Sequence, residues 1–248
     1  HSYYLSILGF WTLAFFYNWA GTHHLIGGPL PAWLITVGVV GSVMMFVPVI
    51  AVAINHHFTL FQKGVRPWAL LARSPTLRFT VVGAVSYTLV SFQGSLQSLR
   101  TVNEVWHFTH STVAHAHLGV YAFSTMIMYG AIYYMLPRLT GREWHSARLI
   151  KIHFWCSFIG IYTYWIGLTI GGTIQGMQMN DPDVAFLELM QNTEIWLHMR
   201  SGSGVLLSIG HAAFAWSVYR ILFTGRTGGG PTLLRQRPPE TSTSGDAE

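Results

Sequence analysis

Apolar residues gather along this chain in six runs, at 3–20, 33–55, 77–99, 111–136, 152–174 and 195–223. Each run is long enough to cross a bilayer as a helix, which takes about 20 residues. The segments between them are too short to form a soluble domain. The pattern predicts an all-α fold, a polytopic membrane bundle of six transmembrane helices within residues 1–224. Residues 225–248, rich in Gly, Pro, Ser and Thr, have no core to bury and read as a flexible tail.

Inside this apolar pattern the polar positions are few. The first run carries Tyr3, Ser6 and Tyr17 and leads to His23 and His24. Positions 3, 17 and 24 are multiples of seven apart, so they drift only about 20° per heptad and share a helix face. A phenol as deep as Tyr17 requires a partner if it is buried. The third run holds Tyr87, Gln93 and Gln97, which should face protein or water rather than lipid. The fifth contains I-G-L-T-I-G-G-T-I, a pattern for close helix packing, and Pro48 is expected to kink the second. His211, deep and alone in the sixth, reads as a hydrogen-bonded residue, and His56 and His57 as solvated interface residues.

Composition supports the membrane reading: 51% of residues are hydrophobic and 9% charged. The net charge of +5 is unevenly placed. Lys63, Arg66, Arg73 and Arg78 follow the second run, Arg138, Arg142, Arg148 and Lys151 the fourth, and Arg226, Arg235 and Arg237 lie in the tail. The alternate connections are uncharged, mixed (Arg100, Glu104) or acidic (Asp181, Asp183, Glu188, Glu194). This positive-inside alternation places the basic loops and the C-terminus in the cytoplasm and explains the charge without a nucleic-acid partner. Cys156, the one cysteine, reads as a small buried residue. The first residues already begin a spanning run, so earlier helices are expected to precede this segment.

His115 and His117, in A-H-A-H on the fourth run, carry the chemistry. Two residues on a helix differ by about 200°, so these imidazoles leave opposite sides: they cannot bind one metal ion but can bind two different cofactors, the alternative being histidines that line a pore or are hydrogen-bonded. The topology sets His23 and His24 at a similar depth. Imidazole suits copper, haem iron and zinc, and the absence of carboxylate at this depth favours copper over non-haem iron.

The run H-S-Y-Y-L-S-I-L-G-F-W-T-L-A-F-F-Y-N-W-A-G-T-H-H-L, the T-V-N after Arg100, A-H-A-H, L-P-R-L-T-G-R-E and H-F-W resemble the catalytic subunit of the cbb3-type cytochrome c oxidases, the C-family of haem-copper oxygen reductases. The resemblance covers nearly the whole chain and corresponds to the second half of a twelve-helix subunit. It implies that His23 and His24 are two of three copper ligands, His115 the proximal ligand of high-spin haem b3, and His117 one axial ligand of low-spin haem b. Tyr17 would be the redox-active tyrosine, and Tyr3, Ser6 and Tyr87 would belong to a proton path from the cytoplasm. The third copper ligand and second haem b ligand would lie upstream. Where the family has glutamate, this chain has Gln93, in S-F-Q-G-S.

The resemblance implies a terminal oxidase of the bacterial inner membrane. It would take electrons from cytochrome c and c-type haem subunits, reduce oxygen to water, translocate protons and sit in membrane lipid. Two alternatives are a nitric oxide reductase of the same superfamily, disfavoured by Tyr17 but kept open by Gln93, and a non-haem transporter whose histidines line a polar path.

Overall fold

The computed structural model describes residues 1–61, 71–72 and 74–224. Lys63, Arg66, Arg73 and the tail at 225–248 lie outside the described residues. Regular structure among the described residues is entirely helical: α1 (Tyr3–Ala20), a 3₁₀ turn (Gly21–Leu25), α2 (Ala32–Met44), α3 (Phe46–Phe61), α4 (Pro75–Ser98), α5 (Arg100–Trp106), α6 (His110–His117), α7 (Met126–Thr140), α8 (Ala147–Met179) and α9 (Phe186–Tyr219). In lipid a helix satisfies its own backbone, and only its ends need other partners. Ser2, Ser74 and Ser146 cap α1, α4 and α8 by accepting the backbone N–H three residues on, and Pro75 opens α4 at a position where its missing N–H costs nothing. Gly141, at φ 65°, ends α7 in the left-handed conformation that glycine adopts freely.

Five segments are long and apolar enough to cross a membrane: Ala32–Leu60, Pro75–Ser98, His110–Thr140, Ala147–Met179 and Phe186–Thr224. The sixth expected span, α1, forms a helix over the expected residues, but its tyrosines, tryptophans and Asn18 lower its hydropathy. The second span is broken at Met45, three residues before Pro48, where proline's ring and missing N–H interrupt the helical ladder. The last span begins nearer its acidic end than the apolar run suggests, so Glu188 and Glu194 fall on α9.

Between α6 and α7 the fourth span continues as a π-helical segment, Leu118–Thr125, beginning at the residue after His117. Inserted π turns are rare and concentrate at functional sites. The apolar pattern carries no trace of it.

Helix α8 is the packing axis. Gly160 and Gly167 meet Leu207 and Met199 of α9, and a Cβ on Gly171 would collide with the Trp196 side chain. On its other side a Cβ on Gly172 would run into the Ser111 amide, and one on Gly176 into the Val105 carbonyl oxygen. The double glycine therefore admits α9 on one side and the start of α6 on the other, as small residues do in membranes. At the basic end, Phe79, Met126, Tyr133, Trp144, Ile150, Phe154 and Ile221 form the main buried core.

Gly176→Val should lower the thermal stability of the full-length protein by about 3 kcal/mol or more, because backbone must move to admit it. Gly202→Ala, with nothing within 4 Å of the added carbon, should leave the melting midpoint unchanged or slightly raised.

Candidate metal centre

The centre is built around one turn of α4. Phe92 packs on Phe46 of α3 at a ring separation of 4.8 Å. Gln93 accepts from the Trp165 indole N–H at 2.8 Å and donates to Thr169 Oγ1 at 3.3 Å, both on α8. Gly94 faces His115, and a Cβ there would stand 3.0 Å from the imidazole Cε1. Ser95 donates to the Ser42 carbonyl on α2 at 2.9 Å. Four successive residues thus meet four different helices.

Ser42 in turn holds His23. The His23 Nδ1 lies 2.5 Å from the Ala20 carbonyl and 2.8 Å from Ser42 Oγ, while Ser42 Oγ also bonds the Ala20 and Gly38 carbonyls. A nitrogen facing a carbonyl oxygen must carry the proton, so Nδ1–H donates and Nε2 keeps its lone pair. That Nε2 is buried and has no protein partner among the described residues. Burial, reinforced by the charges of His24 and His107, pushes the His23 imidazole down to about 4 and keeps it in its neutral, ligating form at ordinary pH. His24 lies beside it, ring centroids 4.1 Å apart, and is exposed. Gly38 and Gly41 on α2 let the 3₁₀ turn approach closely, since a Cβ on Gly38 would collide with Thr22.

His115 stands near enough to His23 and His24 to interact with both electrostatically. Its Nδ1 is buried without a partner among the described residues. His117 points elsewhere: its Nδ1–H donates to the Val113 carbonyl at 2.8 Å, its ring lies 4.7 Å from that of Tyr164, and its side chain is exposed. Tying Nδ1 to a carbonyl fixes the tautomer that keeps the lone pair on Nε2, 3.5 Å from the Tyr164 hydroxyl. The histidines divide as their spacing requires, His115 toward α4 and the His23–His24 pair, His117 toward α8. Among the described residues no set of three His, Cys, Asp or Glu side chains converges on one point.

The other sequence candidates are less enclosed. Tyr17 is 67% exposed, so it lacks the buried partner expected for a deep phenol. Tyr3 is exposed on the same helix. Ser6 departs from their line: it accepts from Asn55 of α3 at 2.8 Å and lines a cleft of about 500 Å³ with Asn55, His56 and Thr59. Tyr87 is half-buried with its ring on Phe123, 5.0 Å away. Gln93 and Gln97 are buried against protein, as their position in an apolar run requires. His211 accepts or donates a bond with Tyr121 at 2.7 Å, in keeping with its expected hydrogen-bonded state. His56 is half-buried, and His57 bonds the Ala53 carbonyl at 2.7 Å, so neither is simply solvated. Sequence reading missed Ser42, Ser95 and Trp165, the residues that hold His23 and Gln93. Their only signal was polarity inside apolar runs.

Residues 1–206 match the family described as Cytochrome C and Quinol oxidase polypeptide I. The chain is 32% identical to a cytochrome c oxidase subunit 1 homolog of Azorhizobium caulinodans, over 97% of its own length and 44% of that protein. It is 34% identical to the cbb3-type cytochrome c oxidase subunit CcoN1 of Stutzerimonas stutzeri, over 89% and 47%. A nitric oxide reductase subunit of the same organism is 30% identical over 54% of the chain and 31% of that protein. The chain thus spans under half the length of these relatives. Its fold is shared with a solved heme-copper terminal oxidase dimer, with a TM-score of 0.73 at 19% identity, over 94% of this chain and 44% of the other. The histidine pair at the end of α1, the diverging histidines of α6 and these matches together make the chain a member of the cytochrome c and quinol oxidase polypeptide I family.

Proposed function

We propose that this chain is part of the catalytic subunit of a bacterial terminal oxidase that reduces oxygen to water with electrons from cytochrome c. The observation that carries the reading is the free Nε2 of His23, buried beside His24 and near His115, with its other nitrogen committed to Ala20 and Ser42. In this reading His23 and His24 hold copper and His115 holds high-spin haem b3. His117 holds low-spin haem b on the other side of the same helix. Remaining ligands come from parts of the family fold that the chain does not span. These metals supply the redox steps and bind oxygen.

The chain's own residues position and protonate. The Ala20 and Val113 carbonyls fix the tautomers of His23 and His117, and Ser42 holds the His23 ring in place. Gly94 leaves room for His115 to stand upright against α4. Tyr17, six residues before His23, gives one electron and its phenolic proton to the oxygen being reduced. In this reading protons enter at the Tyr3 end of α1, beside the cleft where Ser6, Asn55, His56 and Thr59 are the polar groups, with Tyr87 further along the path. The basic loops and C-terminus are cytoplasmic, and c-type haem subunits dock opposite.

Nitric oxide reduction is the second reading, favoured by one relative and by Gln93. The amide cannot exchange a proton as a carboxylate would, but both of its ends are paired: the indole N–H is a donor only, so Gln93 Oε1 must face it and the amide N–H₂ faces Thr169. The transporter reading gives way to membership in an oxidase family.

Membranes bearing the full-length protein should take up oxygen with reduced cytochrome c, and His23→Ala or His115→Ala should abolish this. Tyr17→Phe should slow it by about a hundredfold or more. Uptake of nitric oxide but not oxygen would replace the first reading by the second. Gln93→Leu strands the Trp165 N–H and should lower stability by about 1–3 kcal/mol in a thermal melt, whereas Gln93→Glu keeps the acceptor and should cost less.

A further inference from the structure

Outside the metal centre, α7, α8 and α9 enclose a cluster of titratable groups. Tyr133 and His153 are both fully buried, with the phenol oxygen 2.8 Å from His153 Nδ1. His153 Nε2 is buried and has no protein partner among the described residues. The rings of Phe79, Tyr129 and Phe214 enclose it at 4.3 to 5.1 Å. Beyond stands His211, its ring centroid 6.4 Å from that of His153, and His211 Nε2 lies 2.7 Å from the Tyr121 hydroxyl. Tyr121 donates to Ser157 Oγ at 3.0 Å and has Tyr129 as a further hydrogen-bond partner.

Whichever way the Tyr133–His153 bond runs, His153 Nε2 is left as a bare donor or a bare acceptor in a nonpolar enclosure, which is costly. Two imidazoles at this separation match the span of one water with two hydrogen bonds of about 2.8 Å. The groups also form a column. Tyr133 lies about 10 Å along α7 from Thr140, and His211 about 20 Å along the Phe186–Thr224 span from Thr224, both counted from the basic end. Tyr121 is one turn beyond His117 on the fourth span.

We propose that a water seats between His153 and His211, and that Tyr133, His153, this water and His211 form a proton relay from the basic end of the bundle into mid-membrane. A proton arriving at the Tyr133 oxygen releases the phenolic proton to His153 Nδ1. His153 Nε2 passes its own proton to the water, and the water passes one to His211, where it rests. Every hop breaks one O–H or N–H bond and forms another, so one positive charge moves and nothing is oxidised. Tyr121 and Ser157 are positioning residues that hold the His211 ring. The use of this proton in respiration rests on the oxidase reading; the water site does not.

The test uses the full-length protein in its complex, with ring-¹³C histidine. On exchange from H₂O to D₂O, the infrared spectrum should show an ordered-water O–H band together with a shifted imidazole band, both lost in His153→Phe. Tyr133→Phe should keep the water band and slow proton uptake per electron about tenfold, with haem absorbance unchanged. If His153→Phe fails to fold, Tyr133→Phe, which removes a single oxygen, carries the kinetic test. No water band in the parent protein, or no change in uptake in Tyr133→Phe, overturns the relay. Missing haem absorbance in the same preparation counts against the oxidase reading alone.

Discussion

The structure depends on how closely one turn of α4 can be approached. In a bilayer each helix satisfies its own backbone, so helices associate through side-chain packing and a few buried hydrogen bonds. Phe92, Gln93, Gly94 and Ser95 concentrate those contacts: an aromatic pair with α3, an amide bridge to α8, a bare backbone under His115 and a hydroxyl to α2. The Ser95 bond reaches the residue that orients His23. The lone pair of His23 and the ring of His115 are therefore referenced to the same turn, which is how a 3₁₀ turn and a helix distant in sequence bring their histidines near one another.

Much of this was legible in the sequence because lipid imposes simple rules. A span needs length, so five of the apolar runs mark the long membrane helices, and α1 forms over the residues its run covers. The I-G-G-T pattern announced a crossing, and Gly171 and Gly172 open α8 to two different neighbours. The step from His115 to His117 implied opposite directions, and the two rings have different surroundings.

What stayed hidden depends on tertiary partners. The π segment after His117 keeps the composition of an ordinary apolar helix, so no residue type marks it. The helix break at Met45 lies before the proline that causes it. Periodicity draws Ser6 into the Tyr3–Tyr17 line, whereas Asn55 draws it toward α3. Depth alone suggests a buried Tyr17, and its exposed face is a property of the surroundings rather than of the helix. The sequence marks His211 as a deep, hydrogen-bonded residue, but its meeting with His153 and Tyr133 follows only from the packing of the last three helices.

The central claim is that the histidines of α6 and the turn after α1 serve two haems and a copper. The most direct measurement is a reduced-minus-oxidised and carbon-monoxide difference spectrum of membranes holding the full-length protein, with copper quantified against haem. The account predicts a low-spin haem b, a carbon-monoxide-binding haem b, and copper in amounts equal to each. Non-haem iron in place of copper, or no haem at all, would contradict it.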